Sequence, residues 1–297
     1  MSELSLQARL HGGERRLRRR KVLNLAVESL ATLAAVIAIG LLGVVVVSVI
    51  IEGAGAFGPN LFLHSEVPFG EKGGGIANAI VGTAELVAIA TAIAVPIGIL
   101  IAIYTQEFAP PAVGDGLRLV LDVLNGVPTI VTGIFIFGLL VVGSGQSGFA
   151  GALSLAIIML PIVARSAQEV LALVPRSLRE GGLALGVARW KVLVRVVLPS
   201  AAGGLLTGAL LAVARVAGET APLLFTSSIF AQGISTNPAH ALASIPLRIF
   251  QLAEGNSPEE HSEAWAAALL LLALVLALNL LARFFYARTK ARAGANR

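Results

Sequence analysis

The chain has 297 residues, of which 56% are hydrophobic and only 13% charged, and its mean hydropathy is +0.86; that balance excludes an ordinary soluble domain and points to a bilayer. Cysteine is absent, which excludes a disulfide framework, a thiolate nucleophile and a cysteine metal site. The formal net charge of +5 lies mainly at the two ends and in one internal block, so no nucleic-acid partner is expected.

A basic tail, residues 1–21, carries Arg15, Arg16, Arg18, Arg19, Arg20 and Lys21 ahead of an apolar run. The run is too long for the core of a signal peptide and lacks a small-residue cleavage site, so an uncleaved first membrane helix is expected. Apolar stretches of spanning length recur near 23–51, 76–103, 119–142, 149–168, 200–224 and 263–285, which predicts six transmembrane helices and an all-α polytopic protein. Lys and Arg number 7 before residue 22, 1 in 104–118, 6 in 164–199 and 5 from 282 on, against one each, Lys72 and Arg248, in 52–75 and 225–262. The positive-inside rule then places both termini and the 164–199 segment in the cytoplasm. Residues 22–72 read as the first span with an extracytoplasmic loop, 73–285 as the main transmembrane domain and 286–297 as a cytoplasmic tail. No internal repeat suggests a secondary transporter complete in one chain, and six helices are few for a pore, so a partner half is expected.

Within the third predicted span, "LNGVPTIVTGIF" (124–135) places Asn125, Gly126 and Pro128 ahead of Thr129 and Thr132. An ordinary proline kink is the favoured reading; a broken helix, the alternative, would offer the amide donors of a new N-terminus to an anion.

The block 169–199 is too long for a simple connection and has helical composition. Ser177 can cap a short helix with Glu180 at its third position, Gly186 permits a turn, a second helical piece contains Arg189, Trp190 and Lys191, and Pro199 suits the first turn of the next membrane helix. The result is a helix-turn-helix below the membrane, suited either to a docking partner or to anionic lipid headgroups.

The fifth predicted span ends in "ARVAGETAPLLFT" (214–226). Arg215 and Glu219 are four apart, hence on one helical face and able to neutralise each other, with Thr220 beside them and Gly218 and Pro222 favouring a local break. By helix rise Arg215 lies roughly 24 Å beyond Pro199, in the outer half of the bilayer. Its planar fork suits phosphate or sulfate oxygens, although a buried ion pair that only fixes packing fits equally well. Glu85 and Asp122 are weaker intramembrane candidates, and Gly204 with Gly208 reads as close helix packing. The histidines His11, His64, His240 and His261 are scattered, and the chain has no glycine-rich phosphate cradle, nucleophilic triad or metal-ligand cluster.

Together "GGGIANAIVGT" (73–83), "VPIGILIAIYTQEF" (95–108), "VPTIVTGIF" (127–135), the spacing of Glu180-Gly181-Gly182 to Gly186 and Pro199, and "AGETAPLLFT" (217–226) resemble the permease subunits of bacterial phosphate ABC importers. The likeness covers about 73–230, with glycines at 181 and 182 where that family has alanines, and Glu85 at an otherwise apolar position. It implies a type I importer permease fold in which 169–199 is a cytoplasmic coupling loop contacting an ATPase through Glu180, Gly181, Gly182, Gly186, Arg189 and Pro199. It further implies a substrate path including Arg215, Glu219, Thr220, Asn125 and Thr129. The implied partners are a second homologous permease, a cytoplasmic ATPase dimer, an extracytoplasmic phosphate-binding protein and a phosphate-signalling regulator. The chain itself would be non-catalytic and hold no cofactor or metal, ATP and magnesium being bound by the ATPase. Other oxyanions (phosphonate, sulfate or molybdate) and a secondary transporter or membrane sensor are the alternatives.

Overall fold

Proline and glycine decide where the long apolar runs stay straight and where they break. A computed structural model describes residues 3–66, 74–228 and 233–295, with side chains from 19 to 288. Lys72, Gly73 and the side chains of His11, Arg15, Arg16 and Arg18 lie outside the described residues.

The chain divides into two units, Met1–Ile51 and Glu52–Arg297. The first belongs to one long helix, α1 (Glu3–Ala54), whose apolar side chains from Val22 to Val45 are exposed, as suits contact with lipid. In the second unit, a short helix α2 (Pro59–Leu63) precedes α3 (Ala77–Ile103), which continues into a π-helical turn, Tyr104–Phe108. Then follow α4 (Pro111–Gly126), α5 (Thr129–Ile136) with a π-turn to Val141, and α6 (Gly148–Ala172). Two short helices, α7 (Arg176–Ala184) and α8 (Arg189–Val192), lead through a π-turn (Leu193–Val197) into α9 (Leu198–Val216). The chain closes with α10 (Ala221–Thr226), α11 (Ile245–Ala253) and α12 (Pro258–Ala295).

Five helices are long and apolar enough to cross a bilayer, and the bent pair α4 and α5 supplies a sixth crossing if taken as one span. The count therefore agrees with the sequence, but two expected spans are not single helices. The run 119–142 is split by a 94° bend, because Pro128 holds Val127 in an extended conformation at φ −69° and ψ 127°. The run 200–224 stops at Val216, and its last residues form α10 after a break at 217–220. That span also begins earlier than expected, at Arg189. Pro199 occupies the first α-helical turn but follows a π-turn instead of a loop. There the N–H of Leu198 bonds to the carbonyl of Leu193, and the widened turn relieves the clash a proline ring makes with the preceding turn.

The core is built from small residues. Two lipid-soluble helices gain no hydrophobic energy by meeting in a bilayer, so close backbone approach and dispersion must hold them. α3 and α6 run in the same direction, with Gly151 against Leu86, Gly98 against Val163, and Ala90, Ala94, Ala152 and Ala156 buried between them. α9 runs antiparallel to α6, with Gly204 facing Val170 and Gly208 facing Ser166, so this glycine pair does serve packing. A Cβ on Gly208 would collide with the Ser166 hydroxyl. Gly208→Leu is therefore expected to lose about 1–3 kcal/mol by overpacking, seen as a lower midpoint in thermal unfolding of the detergent-solubilised protein while Ala209→Leu, on another face of the helix, changes little.

Arg248, a lone base in the sequence, is 7% exposed. On α11 it pairs with Glu66 at 2.8 Å and Glu263 of α12 at 3.5 Å, and donates to Gln251 at 3.2 Å. Ser244 caps α11 by accepting from the N–H of Leu247, and Thr83 of α3 accepts from the N–H of Ile245. The polar segment after residue 226 thus contains a helix tied to two spans.

Candidate translocation path and coupling surface

The 169–199 block forms two short helices around a glycine turn, as its spacing predicts, but its start differs. Pro175, at φ −56° and ψ 136°, is the N-cap of α7, and no side chain bonds the first amides. Ser177 therefore lies inside the first turn and the expected capping box with Glu180 does not form; a proline with fixed φ initiates the helix two residues earlier. At the other end Gly186 has φ +74°. The Val187 N–H reaches the carbonyl of Gly182 and the Gly186 N–H that of Leu183, the paired bonds of a Schellman ending that requires a left-handed residue.

The two glycines that replace the family's alanines have different surroundings. A Cβ on Gly181 would meet open space, whereas one on Gly182 would lie 2.8 Å from Val192 Cγ2. Gly182 thus lets α7 approach α8, a gain set against its lower helix propensity of about 1 kcal/mol. Glu180 is exposed without a side-chain hydrogen bond among the described residues, and Leu178, Leu183, Leu185 and Trp190 expose apolar surface beside it. Arg189 stacks over the Phe108 ring at 5.2 Å.

Arg179, which the sequence did not single out, anchors this hairpin. Its Nε donates to Glu107 Oε1 at 2.9 Å, and its two terminal nitrogens donate to the carbonyls of Val174 and Leu171, each at 2.7 Å. Glu107 is 8% exposed. With Leu183, Arg189 and Val192 the pair lines a cavity of about 160 Å³.

Deeper in the protein the two broken spans meet. Gly133 of α5 lies against Pro222 of α10, so close that a Cβ would stand 2.6 Å from Pro222 Cα. Arg215, in the last turn of α9, is exposed, and Glu219 and Thr220 lie in the break, half-buried. The expected Arg215–Glu219 pair does not form: the helix ends at Val216, so a spacing of four no longer sets the side chains on one face, and neither makes an ion pair or side-chain hydrogen bond among the described residues. Asn125 is exposed at the end of α4 and Thr129 half-buried at the start of α5. A new helix start does exist at Thr129, so the break prevails over a simple kink.

A second arginine belongs to the same helical group. Arg165 of α6 donates through Nε to Asp122 Oδ1 at 2.8 Å and also through Nη2, and its Nη1 reaches Gln168 Oε1 at 3.3 Å. Gln168, 3% exposed, donates to Thr105 at 2.9 Å. One polar chain thereby joins α4, α6 and the end of α3. With Ser166 opposite Gly208, Arg165 sits roughly 9 Å nearer the α7–α8 hairpin than Arg215 by helix rise. By charge distribution alone Arg165 counts among the basic residues of 164–199; its place inside an apolar run is the signal that singles it out. Glu85 remains half-buried on α3, with Oε2 lacking a hydrogen-bond partner.

Residues 94–292 match the family described as the binding-protein-dependent transport system inner membrane component. The chain belongs to that family. It is thus the membrane permease component of an ABC transport system, and its relatives and structural neighbours agree. The chain is 40% identical over 245 residues to the phosphate transport system permease PstA of Yersinia pestis, covering 82% of this chain and 83% of that one. It is 39% identical to the PstA of Pasteurella multocida, covering 90% and 95%, and 44% identical to a probable PstA of Methanocaldococcus jannaschii, covering 69% and 73%. Among solved structures, a chain of the MetNI methionine ABC transporter superposes with a TM-score of 0.55 at 17% identity, covering 71% of this chain and 95% of its own. A chain of an amino acid ABC transporter gives 0.55 at 20% identity, covering 72% and 92%. At such identities these two structures speak for the fold, the type I importer permease arrangement.

Proposed function

We propose that this chain is one permease half of an ATP-driven importer of inorganic phosphate. The observation that carries the substrate is 40% identity across most of the chain to a permease named for phosphate, supported by Arg215, a guanidinium inside a membrane protein without a counter-charge from its own described residues. Such a charge is costly unless met from elsewhere, and a planar fork of donors suits a tetrahedral oxyanion. Asn125, Thr129 and Thr220 add neutral donors at the two breaks, and Glu219 disfavours a fully deprotonated anion. Arg165, held by Asp122, offers a second cation on the inner side.

The α7–α8 hairpin is the surface a cytoplasmic ATPase dimer presses, through Glu180, Gly181, Gly182, Gly186 and Arg189, with Pro199 at the start of the span that follows. ATP and magnesium bind in that partner. ATP-driven closure moves the hairpin and opens the path outward to a phosphate-binding protein; hydrolysis restores the inward state. A second, homologous permease completes the pore, and both termini lie in the cytoplasm. Labelled phosphate uptake in phosphate-starved cells lacking this chain tests the assignment. Restoration by the wild type, unaffected by excess sulfate, is the expected result; failure to restore, or competition by sulfate, overturns the substrate.

A further inference from the structure

The carboxylate of Glu107 sits where the second span ends. Here α3 widens into a π-turn, closed by the N–H of Ala109 on the carbonyl of Tyr104, and Pro110 and Pro111 then stop it. The turn buries Glu107 against the start of the cytoplasmic hairpin, where Arg179 of α7 takes it as one of three acceptors. The other two are the carbonyl of Leu171, in the last turn of α6, which also accepts from the N–H of Val174 at 3.3 Å, and that of Val174, just beyond the helix. A single guanidinium thus ties three elements, α3, α6 and α7, and its rigid planar fork does so in a way a lysine cannot. Next to it, Arg189 of α8 stacks on Phe108 of the same π-turn. Every tie leads from the hairpin to α3 or α6, the two spans that pack most closely along their length through Gly98 and Gly151. The neighbouring Glu180 and Leu185 face outward and make no such tie.

We propose that the Glu107–Arg179 pair is the joint through which displacement of the α7–α8 hairpin is passed to α3 and α6, a positioning role that rests on the coupling reading above. With the joint intact the hairpin and both spans move as one body; without it the hairpin yields locally and the push is lost.

The test uses the full complex, with its partner permease, ATPase and binding protein, in phosphate-loaded or phosphate-free proteoliposomes. Uptake of labelled phosphate and ATP hydrolysis are measured on the same preparation. For Glu107→Ala the ATP hydrolysed per phosphate imported is expected to rise at least about tenfold, because hydrolysis continues while uptake falls. Glu107→Gln, whose amide oxygen can still accept from Arg179, is expected to stay within about threefold of the wild type. A purely structural weakening lowers uptake and hydrolysis together and leaves their ratio unchanged; that result overturns the proposal. The chain has no native cysteine, so spin labels placed on Leu100→Cys and Leu185→Cys report the α3–hairpin distance independently of substrate. A narrow distribution that broadens in Glu107→Ala supports the joint, and one that does not change overturns it. A complex that imports no phosphate with its wild-type residues, yet whose distance distribution still broadens on Glu107→Ala, refutes the phosphate reading and leaves the joint standing.

Discussion

Arg215→Ala is expected to lower phosphate uptake by about a hundredfold or more, while the complex still assembles in the membrane. Charge-assisted hydrogen bonds from a guanidinium to an oxyanion contribute about 1.5–3 kcal/mol each, and a bidentate pair lost on the path corresponds to that fall in rate, at about 1.4 kcal/mol per tenfold. Arg215 has no bond to Glu219 or to any other described side chain, so its removal leaves no orphaned carboxylate in the fold, and assembly should survive. The measurement is uptake per unit of complex recovered from membranes. Arg215→Lys keeps the charge but loses the fork and should fall between the two. Wild-type uptake in Arg215→Ala would remove this residue from the path. A loss of complex in proportion to uptake would return it to a packing role.

Gly186→Val is the second large effect, and its cause is conformational. The residue sits at φ +74° with open space around it, so no neighbour resists a side chain; the left-handed backbone does. A β-branched residue there costs more than the 1–2 kcal/mol usual for an L-residue in this region, and the hairpin gives up its Schellman ending to escape. α7 buries no residue of its own, and the Arg179 anchor lies a full turn and more before Gly186, so the turn itself rests mainly on that ending. Binding-protein-stimulated ATP hydrolysis and uptake should both drop about tenfold or more in the reconstituted complex, with thermal unfolding of the spans nearly unchanged. Gly186→Asn, a residue that tolerates left-handed φ, should retain most of the activity. Equal loss in both variants would mean that the side chain obstructs the docked partner and that backbone strain is not the cause.

Both results depend on features that local sequence already carries. A glycine four residues after Gly182 and a Gly-x-x-x-Gly pair each act through the backbone of their immediate neighbours, and the turn and the close packing stand in the structure; the Asn-Gly-Val-Pro run, where a kink is the favoured expectation, gives a full break instead. Where two local signals compete, the backbone constraint prevails. Ser177 and Glu180 matched a capping box, but Pro175 two residues earlier set the helix start. Arg215 and Glu219 matched a helical pair, but the helix stopped between them.

Spanning length and hydropathy were enough to determine an all-helical protein with five to six membrane crossings, because a bilayer imposes those patterns on any chain that crosses it. The tertiary structure alone decided which charges meet. Asp122 and Arg165 are 43 residues apart, Glu107 and Arg179 are 72 apart, and Glu66 and Arg248 are 182 apart. No periodicity connects such positions. They come together only after α3, α4, α6 and α11 have packed, since a side-chain ion pair needs contact at a few ångströms and takes no account of the length of chain between its partners.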